Sequence, residues 1–253
     1  MGVALSELVA AANALLEPEN FQDYCPNGLQ VEGKPQVKRL VSGVTASQRL
    51  LDAAVAREAD AIFVHHGYFW RGEEPVLTGM KGRRIRTLIQ NDISLLAYHL
   101  PLDAHPTLGN NAQLAAKLGL QVRGGLQPGS AHPVGNHGEL PGQQSAQAFA
   151  AHVAAVLGRD VLLEAAGERP VKRVAWCTGG AQGYLAQAAA LGVDCYLTGE
   201  VSEQTIHEAR ELGIHFIAAG HHATERYGAG AVARHLAERF GIEHEFIDID
   251  NPA

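Results

Sequence analysis

The sequence has few cysteines and no apolar stretch long enough to cross a membrane. Cys25, Cys177 and Cys195 are the only cysteines among 253 residues, and they form no Cys-x-x-Cys pair. Isolated cysteines are typical of a protein in a reducing compartment, and they provide neither a disulfide framework nor a thiolate metal site. No run of about 18 uncharged apolar residues occurs, which argues against a transmembrane helix.

The chain also has no excess of cationic side chains. It contains 20 lysines and arginines against 27 acidic residues, a formal charge of -7 at neutral pH. This balance disfavours a surface built mainly to bind nucleic acid or anionic lipid, although it is compatible with a local basic patch. No cationic segment precedes the first apolar residues, as it would in a secretory signal peptide. We therefore expect a cytoplasmic protein without membrane or nucleic-acid partners.

Several common catalytic signatures are missing from the sequence. It contains no Gly-x-Ser-x-Gly motif and no credible pairing of a nucleophilic cysteine with a histidine. Gly228-Ala229-Gly230 lacks the preceding strand, the third glycine and the lysine of a phosphate-binding loop. Ser42-Gly43 and Thr178-Gly179-Gly180 follow predicted strands, where free amides can bind phosphate. Tight turns need glycine in any case, so a purely conformational role is favoured for both.

What the sequence does contain is a regular alternation of strand and helix patterns. The predicted strands cover residues 38–44, 61–64, 93–98, 161–164, 172–177, 195–198, 214–219 and 244–249. The predicted helices cover residues 5–16, 46–59, 83–90, 111–118, 145–157, 181–191, 202–212 and 229–240. This alternation predicts an α/β fold with mixed, largely parallel sheets flanked by helices.

A segment rich in Gly, Pro, Asn and Gln, residues 124–144, marks a boundary or a long excursion. It predicts two α/β lobes, an N-terminal lobe of residues 1–125 and a C-terminal lobe of residues 126–253. The last strand, 244–249, is a candidate to return to the first lobe.

The two lobes are predicted to be copies of one unit. Lys38-Arg39 before an apolar strand recurs as Lys172-Arg173, 134 positions later, and Asp60 recurs as Asp194 at the same offset. On this register His65-His66 correspond to Gly199-Glu200. In each copy a further polar pair follows the next strand. The pair is His99 and Asp103 in the first copy and His221 and Glu225 in the second. The first copy is longer between these marks, around residues 68–82. We infer an internal duplication.

Histidine and carboxylate side chains gather at the predicted strand ends. The chain has 13 histidines, and histidine is the commonest metal ligand in proteins. The carboxyl ends of parallel strands share one edge of a sheet, where α/β proteins bind ligands. Imidazole and carboxylate donors together suit zinc, iron or manganese, and a carboxylate can bridge two ions. The residues concerned are His65, His66, His99, Asp103, Glu200, His221 and Glu225.

Each of these features has an ordinary structural explanation when it is taken alone. A single histidine at a strand end is commonly solvated, and a His–Glu pair four residues apart is commonly a surface contact. Their coincidence at equivalent strand ends favours a metal site in the cleft between the lobes. The seven other ungrouped histidines are interpreted as ordinary: His132, His137, His152, His207, His215, His235 and His244.

The order of several motifs resembles the GTP cyclohydrolase I type 2 family, also called Nif-three-like proteins. The resemblance covers essentially the whole chain and is closest to short bacterial members without an inserted central domain. It rests on the segments DYCPNGLQV (23–31), VHHGYFW (64–70), YHLPLD (98–103), LTGE (197–200) and GHHATE (220–225).

The resemblance implies two divalent metal ions per subunit, of zinc, iron or manganese. By motif it assigns His65, His66, Asp103, His221 and Glu225 as ligands, with His99 nearby and facing a ligand or the substrate. It also implies a toroidal homohexamer.

Two classes of function follow from the resemblance. The first is a metal-dependent hydrolase of unassigned substrate, GTP cyclohydrolase among the possibilities, in which His99 or His222 moves protons. Its substrate would be a small molecule such as a nucleotide. The alternative is a non-enzymatic hexameric scaffold or regulatory protein that binds metal. Structural zinc sites usually have four ligands, often cysteines, which weighs against this alternative without removing it.

Overall fold

The computed structural model describes residues 2–253, in which strands and helices alternate as the sequence predicts. The strands are β1 (Val3–Ala4), β2 (Gly28–Val31), β3 (Gln36–Val37), β4 (Arg39–Thr45), β5 (Ala61–His66), β6 (Ser94–Ala97), β7 (Gln121–Gly125), β8 (Asn136–Gln144), β9 (Leu162–Glu164), β10 (Val171–Cys177), β11 (Cys195–Thr198), β12 (His215–Ala218) and β13 (Glu243–Phe246). The helices are α1 (Leu5–Leu16), α2 (Gln48–Ala56), α3 (Gly79–Gln90), α4 (Leu100–Ala104), α5 (Asn110–Leu118), α6 (Ala146–Leu157), α7 (Leu185–Ala190), α8 (Glu203–Leu212), α9 (His221–Glu225) and α10 (Gly228–Phe240).

The first of two compact units extends to Leu102 and includes Gly228–Asp250. Its main sheet has the strand order β13-β4-β5-β6-β2. The first four strands are parallel and β2 is antiparallel at the edge. Apolar residues of β4, β5, β6 and α2 form its core, including Val41, Leu50, Ile62 and Leu95. A central strand buried on both faces explains the continuous apolar run at 61–64.

The second compact unit comprises Asp103–Tyr227 and Asn251–Ala253. Its sheet has the strand order β7-β8-β10-β11-β12-β9. The three strands β10, β11 and β12 are parallel, and β8 and β9 pair with them antiparallel. Trp176, the penultimate residue of β10, is fully buried, and its indole N–H donates to the Asn111 carbonyl. The predicted class of mixed, largely parallel sheets flanked by helices is confirmed.

The compact units divide the chain at other positions than the sequence-based lobes. The segment before residue 126 contributes α5 and β7 to the second unit, and the C-terminal segment contributes α10 and β13 to the first. In particular, β13 pairs with β4, with Glu243 opposite Arg39. The division into an N-terminal lobe of residues 1–125 and a C-terminal lobe of residues 126–253 remains a prediction.

The predicted duplication is visible in the strand register. In the first unit Leu40 pairs with Ala61 and Val41 pairs with Ile62. The residues 134 positions later make the same pairs, because Val174 is opposite Cys195 and Ala175 is opposite Tyr196. The edge strands correspond too, since β2 pairs antiparallel with β6 and β9 pairs antiparallel with β12. The four-stranded order β4-β5-β6-β2 therefore recurs as β10-β11-β12-β9.

Residues 124–144, which the sequence marks as a boundary or a long excursion, belong largely to a hairpin rather than to an irregular excursion. Residues 121–125 and 136–144 form the hairpin strands β7 and β8. The glycines that suggested a loop are needed where the two strands approach closely. A Cβ atom on Gly138 would collide with the Gln121 carbonyl oxygen, and one on Gly124 would lie 2.7 Å from His137 Nε2. Glycine within a strand often marks such a close approach or a bulge.

Within residues 2–253 the longest helix, α10, has 13 residues. A bilayer requires about 20 apolar residues in a helix that crosses it. None of the described helices has the length and apolar character for this.

Candidate functional site

A short helix in the second unit brings a histidine and a carboxylate together. The helix α9 begins at His221, directly after β12 and Gly220, so that His221 and Glu225 lie one turn apart. His221 Nε2 is 3.0 Å from Glu225 Oε2. Glu225 is 3% exposed, so this is not a surface pair. The predicted sharing of one helix face by these residues is confirmed.

Glu200 contacts the other nitrogen of the same imidazole. Its Oε1 atom is 2.7 Å from His221 Nδ1. Burial alone would lower the pKa of His221 below its ordinary 6.5. The hydrogen bonds to Glu225 and Glu200 and the negative charges of these carboxylates have the larger effect and raise it to about 9. As an imidazolium, His221 donates from both nitrogens to carboxylates.

Asp103 lies in the second unit and is held by two donors. Its Oδ1 atom accepts from Asn110 Nδ2 at 2.8 Å and from Thr178 Oγ1 at 3.2 Å. One of its carboxylate oxygens lies within 4.8 Å of a Glu225 oxygen. Two buried carboxylates so close together repel each other unless a cation or a proton intervenes. The pair therefore favours a bound cation or a shared proton.

Gly179 leaves room beside this cluster. It has a φ of 70°, and a Cβ atom there would collide with Glu225 Oε1 and lie 3.1 Å from His221 Nε2. The backbone N–H of Gly179 donates to Thr224 Oγ1. Glycine at this turn thus has a packing role beside the cluster, in addition to the conformational role expected from the sequence.

In the first unit His65 and His66 are the last residues of β5, rather than residues beyond its end. His65 is fully buried, and its Nδ1 lies 3.0 Å from the Tyr98 carbonyl oxygen. A carbonyl only accepts, so Nδ1 carries the hydrogen and Nε2 carries the lone pair. His66 Nδ1 is 3.2 Å from Thr45 Oγ1. The two rings are 4.4 Å apart between centroids, tilted by 39°.

His99 joins these two histidines in the first unit. Its ring centroid is 5.1 Å from that of His65 and 5.8 Å from that of His66. Each of the three imidazoles offers a nitrogen, and these nitrogens all lie within 4.8 Å of one another. Trp70 packs edge-on against His99, with 5.0 Å between centroids. Three imidazoles so arranged form a nitrogen-rich cluster suited to a borderline divalent metal.

Asp23 and Asn27 hold His99 in place. Asp23 Oδ1 is 2.7 Å from His99 Nδ1, and Asp23 Oδ2 accepts from the Leu100 N–H. Asn27 Oδ1 accepts from the His99 backbone N–H. Burial raises the pKa of Asp23, but hydrogen bonds from His99 and Asn27 lower it more, to about 2.

Cys25 contributes a third donor type near His99. Its sulfur, an Asp23 oxygen and a His99 nitrogen lie within 4.8 Å of one another. Burial and then the Asp23 charge raise the pKa of the thiol to about 12, so that it is neutral at physiological pH. The position of this thiol beside the imidazoles was not predicted from the sequence.

His222 is placed differently from the other predicted site residues. It is 8% exposed, its backbone N–H donates to the Ala253 carbonyl, and none of the donor clusters found in residues 2–253 includes it.

The structure thus brings six of the predicted residues into two clusters, one in each unit. The first contains His65, His66 and His99, and the second contains Asp103, His221 and Glu225. From the sequence no role was predicted for Asp23, Cys25, Asn27 or Asn110 at the site, and Thr178 was given only a turn role. The sequence signal for Asp23 and Asn27 is their place in the segment DYCPNGLQV (23–31), which contributes to the family resemblance. The donors fit a divalent metal by their chemistry, since neutral imidazoles and carboxylates are ligands of zinc, iron and manganese.

Comparison with known proteins shows similarity over essentially the whole chain. The model of the Duf34/NIF3 (NGG1p interacting factor 3) family matches residues 3–252. A protein of Pseudomonas aeruginosa named GTP cyclohydrolase 1 type 2 homolog is 62% identical over 253 residues, covering 100% of both chains.

Solved structures also resemble the chain. The protein ybgI, described as of unknown function, superposes with a TM-score of 0.95 at 54% identity, over 99% of this chain and 100% of that one. A protein from Thermus thermophilus superposes with a TM-score of 0.90 at 35% identity, over 99% and 100% of the two chains. The chain therefore belongs to the Duf34/NIF3 (NGG1p interacting factor 3) family.

Proposed function

We propose that this chain is a metal-dependent hydrolase that uses two divalent metal ions, with His65, His66, Asp103, His221 and Glu225 as ligands. The observation that carries the proposal is the buried Glu225 carboxylate, which contacts His221 and lies within 4.8 Å of Asp103. A carboxylate so placed can bridge two cations. The names of the relatives, which refer to a cyclohydrolase, support a hydrolytic reaction.

When bound, the metal ions would supply Lewis-acid activation of water and polarisation of the substrate bond. The chain itself supplies a proton carrier in His99. Its Nδ1 donates to Asp23, so Nε2 can accept a proton and return it. Trp70 packs edge-on against the ring and restricts its rotation. His222 is the second candidate for proton transfer, as the sequence analysis predicts.

The substrate we propose is a small molecule, and a nucleotide is the first class to test. The relatives' name points to GTP. Tyr24, 57% exposed, and Trp70 both contact the His99 ring and provide aromatic surface on which a purine can stack. We also propose that the protein is cytoplasmic and forms a homohexamer. Light scattering of the purified protein would test the oligomeric state.

The experiment removes metal with a chelator, restores zinc, manganese or ferrous iron, and supplies GTP, nucleotide phosphoesters and peptides. Release of formate, phosphate and amine is measured. Glu225→Ala is the test variant. Glu203→Ala is its matched control, because Glu203 also pairs with a histidine four residues away, His207 at 3.0 Å, but on the surface.

We expect metal-dependent turnover of one substrate class, lost in Glu225→Ala and retained in Glu203→Ala. Turnover that survives Glu225→Ala contradicts the assignment of the ligands. A protein that binds metal tightly but turns over none of these classes favours the scaffold function instead.

A further inference from the structure

We infer that Glu200 is a positioning residue that fixes the tautomer of His221, so that Nε2 is the nitrogen presented to a metal ion. The inference deepens the proposed function and rests on it, because it concerns a histidine assigned there as a ligand. It adds a residue outside the proposed ligand set.

The hydrogen bond between the two side chains determines the tautomer. Glu200 Oε1 lies 2.7 Å from His221 Nδ1. An ionised carboxylate only accepts hydrogen bonds, so Nδ1 must carry the hydrogen. In a neutral imidazole the lone pair is then on Nε2, the nitrogen that faces Glu225. Metal-binding histidines commonly donate their other N–H to a carboxylate in this way.

The backbone that carries Glu200 is fixed by its surroundings. It follows β11 through Gly199, whose position tolerates no side chain. A Cβ atom there would lie 2.6 Å from the Gly179 oxygen and 2.7 Å from His221 Cα. The Gly199 carbonyl accepts from the Gly220 N–H, which ties the two strand ends together. On its other side, Glu200 Oε2 lies 3.5 Å from Gln182 Nε2.

The first unit reaches the same arrangement with a different segment. There Asp23 accepts from Nδ1 of His99, the residue that corresponds to His221 in the duplication. The position that corresponds to Glu200 is occupied by His66, so the carboxylate comes from the loop before β2 instead. His65 likewise directs Nδ1 to an acceptor, the Tyr98 carbonyl. A common ancestral contact does not explain this recurrence, whereas a shared need for a fixed tautomer does.

A surface ion pair is the alternative explanation for the Glu200 contact. The Glu200 and His221 side chains are 45% and 29% exposed, and exposed pairs contribute little to stability. His207 and Glu203 form such a pair, with side chains 61% and 86% exposed and no donor cluster nearby. Only the Glu200 contact involves a histidine that also touches a buried carboxylate.

The experiment measures zinc affinity by competition with a chromophoric chelator. We compare the wild type, Glu200→Ala, Glu200→Gln, Glu203→Ala and Glu225→Ala. We expect Glu200→Ala to weaken zinc binding about 10- to 100-fold, the usual effect of removing such a partner. Glu200→Gln keeps a carbonyl acceptor and should recover part of the loss. Glu203→Ala should bind as the wild type does.

A second readout separates positioning from a general structural effect. Long-range ¹H–¹⁵N correlation spectra of the zinc-loaded protein report which nitrogen of each histidine carries hydrogen. The His221 pattern should show hydrogen on Nδ1 in the wild type and should be altered in Glu200→Ala alone. Wild-type zinc affinity and an unchanged His221 pattern in Glu200→Ala would overturn the inference, while loss of zinc in Glu225→Ala would leave the proposed function intact. Failure of the wild type to bind zinc would overturn both.

Discussion

Asp60 and Asp194 make the same pair of hydrogen bonds in the two halves of the chain. Asp60 Oδ2 accepts from the backbone N–H groups of Lys38 and Arg39. Asp194 Oδ2 accepts from those of Lys172 and Arg173. Asp60 therefore anchors the start of β5 to the start of β4, and Asp194 anchors the start of β11 to the start of β10. The contact explains why the Lys-Arg and Asp positions recur together in the sequence.

We expect Asp60→Ala and Asp194→Ala each to destabilise the protein by about 1–3 kcal/mol. Each substitution removes the ionised acceptor of two backbone N–H groups, exposed for Lys38 and part-buried for the other three, and hydrogen bonds to charged groups have this magnitude. Urea denaturation followed by circular dichroism measures the change. Asp52→Ala is the control, because Asp52 is exposed and accepts only from the Gln48 side chain. Equal stability of all three variants would contradict the account.

Metal binding should release a proton at His221 and so strengthen as the pH rises. The pKa of His221, about 9, means that the metal-free protein holds this imidazole protonated at neutral pH. A metal ion on Nε2 must displace that proton, so the apparent zinc affinity should increase with pH until it levels off near 9. Calorimetry in buffers of different ionisation enthalpy counts the protons released. If His221→Ala releases as many protons as the wild type on binding zinc, the assignment of His221 as a ligand is contradicted.

Gly179→Ala should weaken zinc binding because its Cβ atom occupies space beside Glu225 Oε1 and His221 Nε2. Gly158→Ala is the matched control, since its φ is 69° against 70° for Gly179 and no atom lies near its Cβ position. Both variants should lose about 1–2 kcal/mol of stability from the left-handed backbone. Only Gly179→Ala should also lose zinc affinity in the chelator competition. A similar loss of zinc affinity in both variants would indicate an effect of the left-handed backbone alone.

Asp23→Asn should destabilise the protein at neutral pH by about 1–3 kcal/mol. The new amide places a donor where Asp23 now accepts from Leu100 and Asn27. The pKa of Asp23 is about 2 in the folded protein against an ordinary 3.8. Its carboxylate therefore stabilises the fold above about pH 4, and this contribution disappears as the pH falls towards 2. Denaturation from pH 7 downwards should show the wild type and the variant converging. A constant difference would contradict the shift.

The sequence predicted the regular elements well where one physical pattern dominated. The helix α1 and the strand β11 have the predicted bounds, because amphipathic spacing and a buried apolar run are local signals. The strand β5 extends two residues beyond its predicted end. The two histidines that follow the apolar run suggest a strand boundary. The pairing of β5 with β4 nevertheless continues as far as His66, which is opposite Thr45.

Contacts between distant residues could not be predicted in the same way. The support of His99 by Asp23 joins residues 76 positions apart in the sequence, and the hairpin of β7 and β8 depends on glycines that resemble loop residues. Duplication provided the one usable long-range signal, because it aligned His99 with His221 and Asp103 with Glu225. Residues outside the repeat, such as Asn27 and Asn110, gave no such signal.

The number of zinc ions bound per chain tests the central claim most directly. Purified protein is saturated with zinc, dialysed and analysed by inductively coupled plasma mass spectrometry. We predict two ions per chain in the wild type and in Glu203→Ala, and fewer in Glu225→Ala and in the double variant His65→Ala, His66→Ala. A wild type that retains no zinc, or a Glu225→Ala protein that retains two ions, would contradict the account.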